Sequence, residues 1–157
     1  MKAAFSKALY NEMVKNDKIF FLTGDLGFKL WDNQFAAFPE RTINCGASEQ
    51  AMLGIAVGLA LEGKIPFVYT ITPFFLRAYE AIRLYLNHDN IAVHMVGSGR
   101  DKDYAHDGFS HDASDIEELL TPFKNIKQFY PVDKEDIASI LAGIISSNNP
   151  TFLSLKR

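Results

Sequence analysis

Apolar positions fall into short blocks that switch between helical and strand periods along the chain. Phe5, Leu9, Met13 and Val14 recur at helical spacing and predict an opening amphipathic helix. Ile19 to Leu22 is a short apolar run closed by Thr23-Gly24-Asp25, which reads as a buried strand and its turn. Residues 26–40 show no period and read as loop, with Pro39 as a breaker, before a second short strand over Arg41 to Asn44. Ser48 stands where it can cap a long helix running to about Leu61, and Gly63 stops that helix. A strand follows at Ile65 to Tyr69, a helix from about Phe74 to Leu86, and a strand at Ile91 to Val96. Gly97 to Ala113 reads as a polar loop. Ser114 then caps a further helix, with Glu117 at capping-box spacing. Ile126 to Tyr130 and Thr151 to Leu155 are the last strands, and the helix between them covers Asp133 to Ser146.

Six short strands alternating with helices predict an α/β fold: a three-layer sandwich, residues 1–157 as one domain, around a six-stranded, mainly parallel sheet. Ligands of such sheets bind beyond the carboxyl ends of the strands. Here those ends are Gly24-Asp25, Cys45 to Glu49, Thr70 to Phe74, Gly97 to His111, and Arg157.

Composition narrows the function classes. With 48% hydrophobic and 22% charged residues, the 157-residue chain can bury a core and stay in solution. A net charge of -3 and the lack of a basic stripe argue against nucleic acid as a partner. No apolar run reaches membrane-spanning length, and Lys2, Lys7 and Glu12 interrupt the start, so no signal core is expected. The single cysteine, Cys45, allows no internal disulfide and fits a reducing cytoplasm. Aromatic residues make up 13%, and the adjacent Phe74 and Phe75 suggest a flat ligand or a subunit interface.

The segment Asn44-Cys45-Gly46-Ala47-Ser48-Glu49 opens a helix that is otherwise small and apolar, so that helix should be largely buried. Glu49 in its first turn has two readings. It is either an acid that favours the helix dipole, or a buried carboxylate whose affinity for a proton is raised by desolvation, able to bond a ligand nitrogen.

The stretch from Asn44 to Arg83 resembles the central, pyrimidine-binding domain of transketolases, and is similar to deoxyxylulose phosphate synthases. The likeness rests on Ser48-Glu49-Gln50, Gly58-Leu59-Ala60-Leu61-Glu62-Gly63, the strand Ile65 to Tyr69, and Phe74-Phe75-Leu76-Arg77-Ala78-Tyr79. Further on, Asp107-Gly108-Phe109-Ser110-His111 resembles the family's Asp-Gly-x-Thr-His loop. Phe152 to Arg157 resembles the strand that closes the domain. The segments occur in the family's order and span nearly the whole chain.

The resemblance implies a split or partial thiamine-diphosphate enzyme that transfers a ketol unit between sugars. Glu49 bonds the pyrimidine nitrogen opposite the amino group and so favours the imino tautomer that activates the thiazolium carbon. Phe74 stacks on the pyrimidine, although core packing is its plainer role, and Ile71 stands where the family often has a second aromatic. Asp25 lies near the thiazolium with Leu26 beneath the bent cofactor. Asp107 and His111, as catalytic residues, reach substrate hydroxyls and the developing charge, and their i, i+4 spacing around Gly108 is expected to point both side chains the same way. Arg157 contacts a sugar phosphate, and Lys2 falls near a second phosphate cation, though terminal charges are often simply solvated. The histidine usually found upstream of the Asp-Gly loop is replaced by Gly97-Ser98-Gly99, and His106 and Asp112 are additions to that loop.

One family feature is missing. The metal-binding Gly-Asp-Gly segment with a later Asn has only an imitation here: Leu26 breaks Gly24-Asp25-Leu26-Gly27, and Asn44 comes too early. This chain is therefore expected to hold no metal. Magnesium or calcium, with the diphosphate, would sit on a diphosphate-binding partner, in a homodimer or heterotetramer whose interface includes an exposed surface at Phe74, Phe75 and Tyr79. Two rivals remain: a metal-dependent hydrolase using His106, Asp107, His111 and Asp112, and a non-catalytic α/β interaction domain. A receiver-type signalling fold fails, because Thr70 and Tyr130-Pro131 stand where its phosphoacceptor aspartate and lysine belong.

Overall fold

The computed structural model describes residues 1–157. Phe5, Leu9 and Met13 form one fully buried stripe, and laying it on the sheet creates α1 (Lys2–Lys15). Val14, a hundred degrees round the helix from Met13, points to solvent instead. There follow β1 (Ile19–Thr23), α2 (Asp32–Ala37), β2 (Thr42–Asn44), α3 (Glu49–Leu61) and β3 (Ile65–Ile71). Residues 72–88 form one irregular helical run, here α4. It is a 3-10 helix over Thr72–Ala78, a single α turn over Tyr79–Ala81 and a π-helix over Ile82–His88. After β4 (His94–Ser98), two 3-10 turns, Ala105–Asp107 and Phe109–His111, lead to α5 (Ile116–Leu120). The chain ends with β5 (Lys127–Phe129), α6 (Ile137–Ile145) and β6 (Thr151–Leu155).

The six strands lie in the order β2-β1-β3-β4-β6-β5, and every pairing is parallel. Both faces are covered, which is why the strands read as apolar runs. Leu22, Val68, Met95 and Phe152 face α3, α4 and α5, while Phe21, Phe67, Val96 and Leu153 face α1 and α6. No helix is long and apolar enough to cross a membrane.

Several local expectations are corrected. The presumed loop at 26–40 contains α2. It is anchored by Gln34, whose Nε2 donates to the Ser6 carbonyl at 2.8 Å, and by the buried Trp31. The fourth strand begins at His94, not Ile91, and continues through Gly97 and Ser98, which pair with Ser154 and Leu155. A side chain at Gly97 would meet the Thr72 Oγ1 at 2.4 Å, so the glycine marks close packing there and not a turn. Neither serine caps its helix. Ser48 holds the cap position of α3 without a side-chain bond. Ser114 instead gives its amide to Asp112 Oδ1 at 2.9 Å, and α5 starts after Asp115. Helix α3 buries only its inner face, Met52, Leu53, Ala56 and Val57, leaving Ile55 and Leu61 exposed. Phe75 is buried and Tyr79 only partly exposed. Phe75 packs edge-on to Phe152, and Tyr79 turns inward so that its hydroxyl donates to the Leu119 carbonyl at 2.8 Å.

Candidate functional site

The carboxyl ends of the strands gather most of the polar side chains singled out above. Glu49 is the first residue of α3 and lies on the same stripe as Met52, Leu53, Ala56 and Val57, so the fold turns its carboxylate inward. It is 3% exposed. Thr70, at the end of β3, gives its hydroxyl to Glu49 Oε1 at 3.4 Å. Arg77, from the first turns of α4, places Nη1 at 2.9 Å from both carboxylate oxygens. Gly24, at the tip of β1, completes the cradle: a Cβ there would come within 3.3 Å of Thr70 Oγ1 and 3.7 Å of Glu49 Oε1. The Arg77 guanidinium also lies over Phe74, 3.9 Å from the ring centre. The His111 ring stands edge-on to the same phenyl at 5.0 Å. A cleft of about 220 Å³ opens beside them, lined by Phe74, Arg77, Phe109 and Ser110.

A larger cleft, about 380 Å³, is lined by Lys2, Leu26, Tyr69, Ser98, Tyr104 and Asp107 among others. The two ends of the chain meet here. Lys2 Nζ donates to the Tyr104 hydroxyl at 2.7 Å, and the Arg157 guanidinium sits 5.3 Å from the centre of the Tyr104 ring. The Arg157 amide donates to Asp103 Oδ2 at 2.8 Å. Ser98 Oγ is 3.2 Å from the Tyr104 hydroxyl, and burial pushes the neighbouring Tyr69 phenol well above its usual range. Tyr104 can lie this close because Gly99 has no side chain: a Cβ would fall 2.4 Å from two ring carbons. A third cleft, about 210 Å³, is bounded by Asp25, Leu26, Trp31 and Asn44 among others. Asp25 adopts φ 58, and the Asn44 side-chain amide donates to its Oδ1 at 2.9 Å, tying the tips of β1 and β2 together.

Asp107 and His111 do not point the same way. Gly108, at φ 94, separates two 3-10 turns. Asp107 lines the 380 Å³ cleft, while His111 packs on Phe74 with Nδ1 3.0 Å from Ser110 Oγ. His106 and Asp107 pair at 3.5 Å. The Ser114 hydroxyl and amide hold the Asp112 carboxyl below its usual range. The four proposed metal ligands of this loop thus do not converge, and no cluster of three His, Cys, Asp or Glu side chains forms elsewhere.

Sequence reasoning assigned no role to Arg77, Thr70 or Tyr104. A signal existed for Arg77, because it stands at i, i+3 from Phe74 on a helix, where side chains meet. Nothing in the polar loop marked Tyr104.

A model of the transketolase pyrimidine-binding domain matches residues 1–157. Among curated relatives, the 6-deoxy-6-sulfo-D-fructose transketolase subunit SqwH of Clostridium sp. is 28% identical over 91% of this chain and 45% of its own length. One of the subunits of the apulose-4-phosphate transketolase of Actinobacillus succinogenes is 29% identical over 75% of this chain and 38% of its own. Among solved structures, a split gene transketolase described as an inactive beta4 tetramer is 32% identical with a TM-score of 0.85, covering 98% of this chain and 50% of that one. The transketolase of Leishmania mexicana is 25% identical with a TM-score of 0.89, covering 99% of this chain and 25% of that one. The chain spans half or less of the length of these relatives. Sequence match and superposition together settle the family: this chain belongs to the transketolase pyrimidine-binding domains.

Proposed function

We propose that the chain is the pyrimidine-binding half of a split, thiamine-diphosphate-dependent enzyme of the transketolase type. With a diphosphate-binding partner it moves a ketol unit between phosphorylated sugars in the cytoplasm. The observation that carries this reading is Glu49: a carboxylate 3% exposed, at the head of α3, joined through Arg77 to the ring of Phe74 on the ligand edge of a parallel sheet. A buried carboxylate next to an aromatic face fits an aminopyrimidine, which offers ring-nitrogen and amino groups in one plane and two faces to stack. When bound, the cofactor supplies the electron sink for ketol transfer.

The chain's own residues take the following parts. Glu49 holds a proton against the pyrimidine nitrogen, Thr70 orients its Oε1, and Phe74 provides the stacking wall. Asp25 and Leu26 line the neighbouring clefts and would flank the rest of the cofactor. Asp107 reaches the substrate in the 380 Å³ cleft, and His111 supports Phe74 from the loop behind it. Arg157 and Lys2, brought together on Tyr104, hold the substrate's phosphate. Magnesium or calcium and the diphosphate are assigned to the partner, because Leu26 breaks the Gly-Asp-Gly pattern at Gly24-Asp25-Leu26-Gly27. The names of the two curated relatives above, each given as a subunit of its transketolase, support a two-chain enzyme.

Glu49→Gln tests the reading. In the complex reconstituted with its partner, hydrogen–deuterium exchange at the thiazolium carbon should slow by orders of magnitude. Folding should change by about 1 kcal/mol or less, since the Arg77 left behind is half exposed. Exchange at the wild-type rate would reduce Glu49 to a structural acid.

A further inference from the structure

We propose that Arg77 is a positioning residue that keeps the aminopyrimidine's place before the cofactor arrives and is displaced when it binds. The inference rests on the function proposed above. That function defines the place by two contacts: a hydrogen bond to the Glu49 carboxylate and a flat face on Phe74. The Arg77 guanidinium makes both at once, with Nη1 2.9 Å from each carboxylate oxygen and its plane centre 3.9 Å from the phenyl centre. A guanidinium and an aminopyrimidine are alike in the properties that matter here: both are planar and delocalised, and both meet the Glu49 carboxyl group through a nitrogen in their plane. At stacking separation from one ring and hydrogen-bond distance from one carboxylate, the two cannot be present together.

The free chain needs such an occupant. Without Arg77, the Glu49 carboxylate would keep only the Thr70 hydroxyl at 3.4 Å, and a buried anion so poorly paired is costly. Arg77 therefore pairs the carboxylate and occupies the space between it and the Phe74 face until a ligand takes its place. It is also placed to leave. The chain's structural arginines bind backbone carbonyls: Arg41 holds those of Met13, Asn16 and Ile19, and Arg100 those of Pro131 and Ser154. Arg77 is bonded only to Glu49 and lies only over Phe74, and its side chain is 50% exposed. One nitrogen serves both oxygens, so the pair lacks the two-pronged geometry of the strongest arginine–carboxylate contacts. Arg77 also sits in the 3-10 stretch of α4, just before that run passes through one α turn into a π-helix. Such departures from regular helix are common where a segment moves.

The test uses the isolated full chain and the cofactor's aminopyrimidine half, 4-amino-2,5-dimethylpyrimidine, titrated by NMR with the Arg77 Nε and Phe74 ring signals as readouts. Wild type should bind weakly, with the Arg77 Nε signal moving to that of a free guanidinium. Arg77→Gln should bind about tenfold more tightly, the scale of a half-exposed cation–π contact and ion pair. Arg77→Lys keeps the charge beside Glu49 but cannot stack as a plane, and should fall between; it carries the test if the Gln variant folds poorly. Glu49→Gln should abolish binding in every background. Equal affinity in wild type and both Arg77 variants, with Glu49→Gln still abolishing it, overturns the placeholder and leaves the pyrimidine site standing. Absence of binding in the Arg77 variants overturns the placeholder too. Binding that survives Glu49→Gln overturns the site itself.

Discussion

Protonating His94 should unfold the chain by an amount the structure allows to be worked out. His94 opens β4, in register with Phe67 on one side and Thr151 on the other. It is 1% exposed, its Nδ1 lies 3.1 Å from Thr151 Oγ1, and its ring is 4.9 Å from that of Phe67. Burial lowers its pKa from the ordinary 6.5 to about 4. Between those values the unfolded chain binds a proton that the folded chain refuses, so stability rises with pH across this window. The contribution is fully present above pH 6.5 and is lost as the pH falls towards 4. At about 1.4 kcal/mol per pH unit, the interval from 6.5 to about 4 amounts to about 3 kcal/mol. That is a large part of the roughly 5–15 kcal/mol that holds an ordinary domain together. Urea denaturation at several pH values between 7.5 and 4, on wild type and His94→Gln, isolates the effect, because the carboxylates that titrate nearby are common to both proteins. The Gln variant should be less stable at neutral pH, and its deficit should shrink by about 3 kcal/mol on the way to pH 4. Parallel curves for the two proteins would refute the argument.

Two further outcomes follow from the geometry. Gly99→Ala places a side chain at φ 83 and 2.4 Å from the Tyr104 ring, and should cost about 2 kcal/mol in chemical denaturation; combined with Tyr104→Ala the cost should be clearly less than additive, and strict additivity would mean the ring does not rest on Gly99. The isolated chain should show no tight binding of thiamine diphosphate with magnesium by calorimetry, and should sediment as a homodimer or, with its partner, a heterotetramer; micromolar affinity with turnover by this chain alone would end the split-enzyme reading.

Most of the sheet was readable because it is covered on both sides: β1, β3 and β6 are buried at nearly every position and mostly apolar, and such runs announce strands without any need for alternation. The failures have local causes. Helix α2 is held by Gln34, Trp31 and the Thr42 hydroxyl bonded to the Gln34 carbonyl at 3.1 Å, and polar anchoring of that kind leaves no hydrophobic period to detect. The end of β4 was misplaced because Gly97-Ser98-Gly99 has the composition of a turn. In fact Gly97 is a strand residue that makes room for Thr72, whose hydroxyl bonds the Gly99 carbonyl. The capping motif at Ser114 gave way to a competing bond with Asp112, a choice that sequence spacing alone cannot weigh.

The site was legible where a single residue broke a pattern, and illegible where chemistry depends on residues far apart. Glu49 stood out as a carboxylate on the stripe of an apolar helix, and the fold does turn it inward. Its partner Arg77 lies 28 residues away, beyond a strand, and only the fold brings the two together. Lys2 and Arg157 are separated by the whole chain, and each alone is an ordinary terminal charge. Their common contact with Tyr104, seated on a side-chain-free Gly99, brings the two cations to one ring, with Lys2 lining the 380 Å³ cleft. The same edge of the sheet leaves Phe28 91% and Phe109 88% exposed. Phe28 lines the cleft that holds Lys2 and Asp107, and Phe109 the one that holds Arg77 and Phe74. The rims of both clefts therefore carry large apolar side chains facing solvent, beside a carboxylate that is already buried. The split-enzyme reading proposed above accounts for these rims, because a diphosphate-binding surface would cover both clefts and their aromatic side chains.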